Sequence, residues 1–465
     1  MSRHGPSCCL VLVLVLVLML AACAPVKQQV PAEAQVQAPL QWRNEGPANP
    51  LEIHAQWWQG FNDPQLSRLV EQALRQNTDV LVAISRVDEA REEIQLTRSS
   101  LLPWVDAVIG GQRGRELGTF GVQHSTAFQP ELQLSYEVDV WGRLRRLRDA
   151  AELGYQASGA ERDAVRLAVA STTARAYISL LSLDLQLLIT RETTESRREA
   201  LHIAEDRASL GYTSQLELTQ AQSEYQAAAQ LIPELEQAIH RQENAISLLV
   251  GALPAAIERG RRFDAIEAPT VPNMLPSELL RRRPDIRQAE LLLAASDLNL
   301  DAERDRFLPQ VQLSASVGRL FVDSLDYDPV RIWGVGGSVL APLFSAGRLE
   351  AGVGIATARR DQAAFAYRSA VLNAFTEVEN ALSGIDQLAA QVERVTERRH
   401  ILARSLDIAR DRYRGGYSSY LEELDAQRNL FNTELAAIQV EESRINNLIS
   451  LYQALGGGWR MGERD

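Results

Sequence analysis

The residue types that usually carry enzymatic or metal chemistry are present in this sequence, but their spacing forms no known site. The histidines lie far apart, with no His-Glu-x-x-His pattern and no cysteine-histidine spacing typical of zinc. Beyond the first residues they are His54, His124, His202, His240 and His400. The glycine-rich segments 334–337 and 352–354 lack the strand-to-helix context of a phosphate loop. We therefore expect no enzyme, no metal site and no dissociable cofactor.

The overall charge excludes one class of partner. Lysines and arginines number 48 against 60 aspartates and glutamates, which gives a formal net charge of −12. Nucleic-acid recognition depends on clustered positive charge. We expect no nucleic-acid partner.

A cysteine with a specific chemical role follows an apolar leader. The run from Leu10 to Leu20 is unbroken but shorter than the ~20 residues of a spanning helix, as in a signal-peptide core. It ends in Leu20-Ala21-Ala22-Cys23, which is similar to the lipobox of bacterial lipoproteins; the alternative is a chance cysteine beside an ordinary cleavage site. Position 24 is not the aspartate that retains lipoproteins at the inner membrane. The sequence predicts a lipid on Cys23 and sorting to the outer membrane.

Two stretches predict the tips of helical hairpins. Gly415-Gly416-Tyr417 interrupts a helical pattern, and Ser418 or Ser419 could cap the next helix, because glycine tolerates the left-handed conformation of a helix stop. A similar stretch, Gly211-Tyr212, lies 205 residues earlier (416 − 211 = 205). The chain is therefore interpreted as a tandem repeat whose halves each end in a hairpin.

Alternating apolar and polar residues predict two strands, one in each half. Such alternation places one sheet face in an apolar medium and the other in water. The apolar positions are Leu132, Leu134, Tyr136, Val138 and Val140 in the first half and Val311, Leu313, Ala315 and Val317 in the second. Weaker partner strands are expected at 104–110 and 333–341, with polar loops at about 111–127 and 319–331.

Very long helices are expected after each strand pair. Ten apolar residues between Ala363 and Val395 recur at a mean spacing of about 3.6 residues, close to the coiled-coil value. The segment from Arg143 to Gly211 has room for a helix of roughly 100 Å. Pro233 is expected to kink the returning helix or to break it locally.

Four amphipathic strands cannot close a sheet, whereas every backbone group in a bilayer must be paired. The predicted fold is therefore a mixed α/β membrane protein, in which several chains share one β-barrel that continues into a tube of helices. Trp104 and Trp333 lie near strand ends, where an aromatic belt or local packing would explain them. The expected divisions are a signal peptide at 1–22, a lipid-anchored tether at 23–60, the first repeat at 61–250, a connector at 251–284, the second repeat at 285–456 and a C-terminal tail at 457–465.

Four long stretches resemble the outer-membrane efflux proteins, specifically the lipoprotein branch of the TolC-like group. They are Tyr136–Arg143, Arg282–Glu290, Phe307–Pro309 and Pro342–Arg348. The resemblance covers essentially the whole mature chain. It implies a homotrimer with a twelve-stranded barrel, four strands per chain, on a long periplasmic α-helical barrel. It also implies a place in the outer membrane of a Gram-negative bacterium as the exit duct of a tripartite pump, with a periplasmic adaptor and an inner-membrane transporter of the RND type.

The resemblance also implies a gate on the second hairpin. Leu421 would be an apolar plug, Asp425 a ring of three carboxylates, and Arg428 a charge-assisted link to a neighbouring helix. Their spacing places them on one helical face; the alternative is that Asp425 and Arg428 form a surface pair worth only about a few tenths of a kcal/mol. Glu422 and Glu423 would add negative potential at the pore entrance, or form an ordinary solvated cluster.

Adaptor docking is assigned to the exposed turns, although the glycines could serve turn geometry alone. The residues are Gly211, Tyr212, Gly415, Gly416 and Tyr417. Two other functions stay open from the residues: a duct for type I protein secretion, and a structural coiled-coil lipoprotein without a channel. The lipobox and the Arg282–Glu290 stretch favour drug or small-molecule efflux.

Overall fold

The computed structural model describes residues 31–44, 53–118, 121–272, 276–323 and 329–459. The predicted signal peptide, the lipidation site Cys23 and the tail beyond residue 459 lie outside these residues. The chain forms two compact units. Of the described residues, the first unit contains those within 31–35, 90–155 and 291–368. The second contains those within 36–89, 156–290 and 369–459.

Nine helices and four strands are found in the described residues, besides three short 3₁₀ turns. In chain order they are α1 Pro64–Gln76, α2 Thr78–Ser99, β1 Trp104–Gly118, β2 Gly121–Val138, α3 Arg143–Ser209, α4 Gln215–Ala229, α5 Leu231–Leu249, α6 Pro276–Arg282, α7 Pro284–Asp305, β3 Gln310–Val322, β4 Val330–Leu340, α8 Arg348–Arg414 and α9 Tyr420–Ala454.

The first unit contains one antiparallel sheet in the order β1-β2-β3-β4. Its register places Leu132 beside Val317 and Val317 beside Trp333 on one face, which is apolar. The neighbouring row, Gln133, Ser316 and Gly334, lies on the opposite face. Both β1 and β4 are edge strands within this chain. The apolar face therefore has to meet an apolar medium, and the edges have to pair outside the chain.

Two sequence predictions about the sheet are wrong. The expected loop at 111–127 is mostly strand, because β1 and β2 stay in register as far as the Gly118–Gly121 pair. The expected loop at 319–331 is shorter, because β3 continues to Val322 and β4 begins at Val330. Polar composition does not end a strand whose backbone groups remain paired. Trp104 pairs with Ser135 and so lies on the polar face, whereas Trp333 lies on the apolar one.

The repeat is visible in the helices. Both α3 and α8 are 67 residues long, and they begin 205 residues apart (348 − 143 = 205). At 1.5 Å per residue each extends roughly 100 Å. Residues of α8 on the expected apolar stripe are buried inside the second unit, as at Val371, Ala374 and Val378.

The two returning helices differ. The first return is divided, since α4 ends at Ala229 and α5 begins at Leu231, with Pro233 in the first turn of α5. Proline has no N–H and is tolerated there. The second return, α9, runs for 35 residues without interruption.

The core of the second unit is apolar and tightly enclosed. Side chains with no exposed surface include Phe61, Leu66, Leu180, Ile246 and Leu451. Trp57 and Trp58, near the end of the expected tether at 23–60, are also buried. None of the helices in the described residues combines the length and apolarity needed to cross a bilayer.

Candidate functional site at the hairpin tips

Both hairpin tips have the same backbone geometry. Gly211 and Gly416 each adopt a φ of +77°, in the left-handed region that favours glycine. At each tip the following tyrosine N–H closes the helix end, Tyr212 onto Arg207 O and Tyr417 onto Arg412 O, both at 2.8 Å. This is the pattern of a glycine-terminated helix. The glycines assigned to docking therefore have a clear structural role as well.

The next helices begin differently. The hydroxyl of Ser214 accepts a hydrogen bond from the Glu217 N–H, capping α4. Ser419 occupies the corresponding position before α9, but its side chain makes no capping hydrogen bond. The expected side-chain cap at Ser418 or Ser419 is therefore not seen. The tyrosines assigned to docking are highly exposed, at 81% for Tyr212 and 82% for Tyr417.

A tyrosine near the end of α8 joins the two hairpins. The hydroxyl of Tyr413 accepts a hydrogen bond from Arg207 at 2.8 Å and donates one to the carboxylate of Glu217. The Arg207 guanidinium also lies 5.1 Å from the centre of the Tyr413 ring. Burial and the bond to Glu217 raise the pKa of Tyr413 to about 12, and Arg207 opposes them. The hydroxyl therefore stays protonated and able to donate at neutral pH.

A buried carboxylate, Glu224 of α4, forms the second link. Arg197 of α3 lies 3.2 Å from this carboxylate and donates to the Glu224 carbonyl oxygen at 3.0 Å. Arg428 of α9 donates its Nε–H to the same carboxylate at 2.7 Å. Burial lowers the pKa of Arg197, whereas the bond to Glu224 raises that of Arg428. Glu224 thus links α3, α4 and α9 through ion pairs and charge-assisted hydrogen bonds, which are of the stronger kind.

The structure separates the three predicted gate residues by their contacts. Leu421 is 53% exposed, and Asp425 is exposed with an oxygen that accepts from the Asn429 side chain at 3.1 Å. Arg428 contacts Glu224 of the first hairpin rather than Asp425. Within one chain, Leu421 and Asp425 therefore present an open surface, while Arg428 contacts the neighbouring helix. Their role in gating stays a prediction.

Glu422 and Glu423, the two candidates for pore-entrance charge or a solvated cluster, differ in exposure within one chain. Glu423 belongs to α9 and is only 8% exposed, because its side chain faces α8. Its carboxylate is 3.4 Å from Arg410 and accepts from Gln427 at 3.0 Å. Glu422 does face outward, and it lies 3.9 Å from Arg412. A buried carboxylate needs such partners, so Glu423 stabilises the hairpin.

Sequence reasoning missed Tyr413, Glu217 and Glu224. When the two repeats are aligned at the 205-residue offset, Tyr413 corresponds to Ala208 and Glu224 corresponds to Asn429. Glu217, however, matches Glu422, so the links between the hairpins use both differing and shared positions. A comparison of the two repeats therefore does not distinguish the linking residues from the other positions.

The sequence of the chain matches a known family. The model of the family described as "Outer membrane efflux protein" matches residues 69–252 and 275–457. The pyoverdine export outer membrane protein OpmQ of Pseudomonas aeruginosa is 32% identical over 92% of this chain and 93% of its own. The cation efflux system protein CusC of Escherichia coli is 31% identical over 88% of this chain and 89% of its own.

Solved structures agree with the sequence matches. The outer-membrane channel OprN superposes with a TM-score of 0.86 at 27% identity, covering 94% of this chain and 99% of that one. The Neisseria gonorrhoeae channel MtrE, solved in its open state, gives 0.83 at 28% identity, covering 95% and 99%. These matches confirm the fold class and the family expected from the sequence. They support neither protein secretion by a type I system nor a structural lipoprotein without a channel.

The described geometry and the matches lead to one conclusion. The sheet has an apolar and a polar face, and long helical hairpins carry linked tips. The protein functions in transport at the outer membrane as an efflux channel, and its relatives form a channel family rather than a class of enzymes. The chain belongs to the outer membrane efflux protein family.

Proposed function

We propose that three copies of this chain form the passive exit duct of a tripartite efflux pump. The observation that carries this proposal is the four-stranded sheet, which has one apolar face and two edge strands, β1 and β4. A sheet of this kind is stable in a bilayer only when its edges are paired in a closed barrel. Three chains give twelve strands, within the range of outer-membrane barrels.

The partners proposed at the tips are a periplasmic adaptor protein and, through it, an inner-membrane transporter of the RND type. Tyr212 and Tyr417 support this docking role, because exposed aromatic side chains are enriched in interfaces. The turns hold both rings at the ends of rigid helices. The energy for export would come from the transporter, so the duct itself needs no catalytic site.

The decisive experiment places one thiol at the tip. In a Tyr417→Cys variant, a thiol-to-amine crosslinker is added to living cells, and crosslinked partners are identified by mass spectrometry. A control variant with cysteine at Arg398, on an exposed part of α8, reports background. Recovery of a periplasmic adaptor from the tip variant alone is expected. Recovery of only self-crosslinks, with the protein assembled in the outer membrane, would contradict the tripartite assignment.

The gate proposed on the second hairpin consists of Leu421, Asp425 and Arg428. Exposed Leu421 and Asp425 support a pore-facing role, and the bond of Arg428 to Glu224 supports a role in holding the hairpins together. Replacing Asp425 and Arg428 by alanine is expected to raise conductance in planar bilayers. The control is Glu397→Ala with Arg398→Ala, which removes one charge of each sign from an exposed part of α8. Equal conductance of the double variant and the wild type would reject the gate.

A covalent lipid on Cys23 is proposed as the membrane anchor. The motif Leu20-Ala21-Ala22-Cys23 supports it. Cells grown with labelled palmitate should incorporate label into the wild-type protein and not into a Cys23→Ser variant. Label that persists in the variant would exclude this cysteine as the site.

Small molecules are the proposed cargo. The names of two relatives describe pyoverdine export and cation efflux, which are small solutes of different chemistry. Deleting the gene should therefore raise intracellular accumulation of small toxic compounds without altering the amount of any secreted polypeptide. A secreted protein lost from the medium, with unchanged accumulation of small compounds, would instead favour type I secretion.

A further inference from the structure

Two arginines lie side by side on the apolar face of the sheet. Arg319 of β3 pairs with Arg331 of β4, and the adjacent pair on the same face is Val317 and Trp333. Both arginines are exposed. Like charges directly opposite each other on a sheet repel and destabilise the pairing. A counter-charge would turn this local cost into a stabilising contact.

The protein does not supply that counter-charge within the described residues. Neither guanidinium lies within ion-pair distance of a carboxylate in residues 31–44, 53–118, 121–272, 276–323 or 329–459. The acidic residue nearest in register, Glu131, pairs with Gly318 and therefore belongs to the opposite face. Since the described residues leave Arg319 and Arg331 without a counter-charge, an anion from the surroundings can bind there.

The height of the pair on the sheet indicates where those surroundings lie. The helices attach at the end of the sheet where β3 begins and β4 ends, near Val311 and Val339. The eight residues from Val311 to Arg319 extend roughly 26 Å along the strand. With a tilt of about 40° they rise roughly 20 Å, close to the ~25 Å height of the apolar band on outer-membrane barrels. The arginines therefore lie at the far edge of that band, where lipid headgroups begin.

A shallow depression makes the pair accessible. It has a volume of about 470 Å³ and is lined by Pro130, Val317, Arg319, Arg331 and Trp333 among others. Pairing between β2 and β3 is interrupted at Pro130, which has no N–H to donate. The depression combines an aromatic and aliphatic wall with two guanidinium groups. This combination suits an amphiphile with an anionic head and an apolar tail.

We propose that Arg319 and Arg331 bind the phosphate of an outer-membrane lipid, whose acyl chains lie against Val317 and Trp333. Arginine forms paired N–H bonds to phosphate oxygens, and two of them can hold one phosphate group. The proposal rests on the proposed barrel, in which the apolar face of the sheet meets lipid. It adds a specific lipid-phosphate site on the outer surface of the channel.

The test uses the purified full-length assembly in a neutral detergent and native mass spectrometry. The probes are phosphatidylglycerol and a diacylglycerol with the same acyl chains. We expect the wild type to retain phosphatidylglycerol at least tenfold more than diacylglycerol. A double variant, Arg319→Gln with Arg331→Gln, should lose that preference, whereas the double lysine variant should keep most of it. The matched control, Arg394→Gln with Arg398→Gln on an exposed part of α8, removes the same charge and should bind as the wild type does.

The outcomes separate this proposal from the barrel on which it rests. The same spectra report the mass of the assembly, so loss of the trimer would implicate the barrel and not the lipid site. Equal retention of phosphatidylglycerol by the glutamine variant, in an intact trimer, would overturn the proposal. Full displacement by millimolar inorganic phosphate would also overturn it, because the site would then recognise the free anion and not a lipid.

Discussion

The hydroxyl of Tyr413 donates a hydrogen bond to the carboxylate of Glu217, a residue 196 positions earlier in the chain. The bond joins α8 of the second hairpin to α4 of the first, one turn above the tips. Arg207 completes it by donating to the same hydroxyl. The tips are thus held together by polar contacts with defined geometry, which a single substitution can release.

Tyr413→Phe should favour the open state. The change removes the hydroxyl but keeps the ring against Arg207, and a hydrogen bond to a charged group contributes about 1.5–3 kcal/mol. The open population should rise about tenfold or more, seen as higher conductance in planar bilayers. Tyr417→Phe is the control, because that ring is exposed at the turn. Identical conductance of the two variants would show that the Tyr413 bond does not restrain opening.

The same contact predicts a dependence on alkaline pH. The pKa of Tyr413 is raised from its ordinary value of 10.0 to about 12, so between these values the folded tip holds a proton that the unfolded chain has lost. Stability contributed by this group is full below pH 10 and is lost as the pH rises towards 12. Between pH 10 and pH 12 the midpoint temperature of thermal unfolding should therefore fall more steeply for the wild type than for Tyr413→Phe. If the midpoint temperatures of the two proteins fell in parallel with pH, the raised pKa assigned to Tyr413 would be contradicted. Tyr420, whose pKa is also raised to about 12, is present in both proteins.

Glu224→Gln should be strongly destabilising. It leaves Arg197, which is 6% exposed, without its carboxylate partner. Removing one member of a buried pair costs about 3–5 kcal/mol. Hydrogen exchange in α3 and α4 near the tips should accelerate, and the thermal midpoint in detergent should fall. Glu422→Gln, at an exposed position, should change stability by less than about 0.5 kcal/mol. Similar effects of the two substitutions would exclude a special role for Glu224.

Gly318→Ala should disrupt the sheet. A Cβ atom at this position would lie 2.5 Å from the Pro130 carbonyl oxygen and 2.6 Å from the Glu131 Cβ. The strands would have to separate, so we expect much less assembled protein in the outer membrane. Gly334→Ala is the control, because its nearest neighbour would be the Ser316 hydroxyl at 3.6 Å. Heat-modified mobility on gels measures assembly, and normal assembly of Gly318→Ala would refute the close approach.

Much of the fold could be predicted because the sequence repeats itself and alternates. The 205-residue offset between Gly211 and Gly416 indicated two hairpins, and both glycines have the expected left-handed backbone. Alternation around Leu132 indicated a sheet with two unlike faces. These patterns are local, and each depends on the geometry of one element only.

The features of the fold and of the site that the sequence did not predict depend on contacts between segments distant in the chain. Residues 111–118 were predicted as loop because they are polar and glycine-rich, yet pairing with β2 keeps them extended. Glu423 was a candidate for pore-entrance charge or for a solvated cluster, yet its side chain is buried against Arg410 on the facing helix. The bond of Tyr413 to Glu217 required knowledge of how the two hairpins pack. Composition and periodicity carry no information about such pairs.

The interruption in the first return has a mechanical consequence. A helix without a break resists bending, so α9 can act as a lever whose 35 residues span roughly 50 Å. A rotation of about 5° at its Ala454 end would swing Leu421 by roughly 4 Å. In the first hairpin, the same torque would be absorbed by flexing between α4 and α5 at Gln230. The second hairpin would then move as a rigid unit at the aperture, while the first hairpin would bend at Gln230.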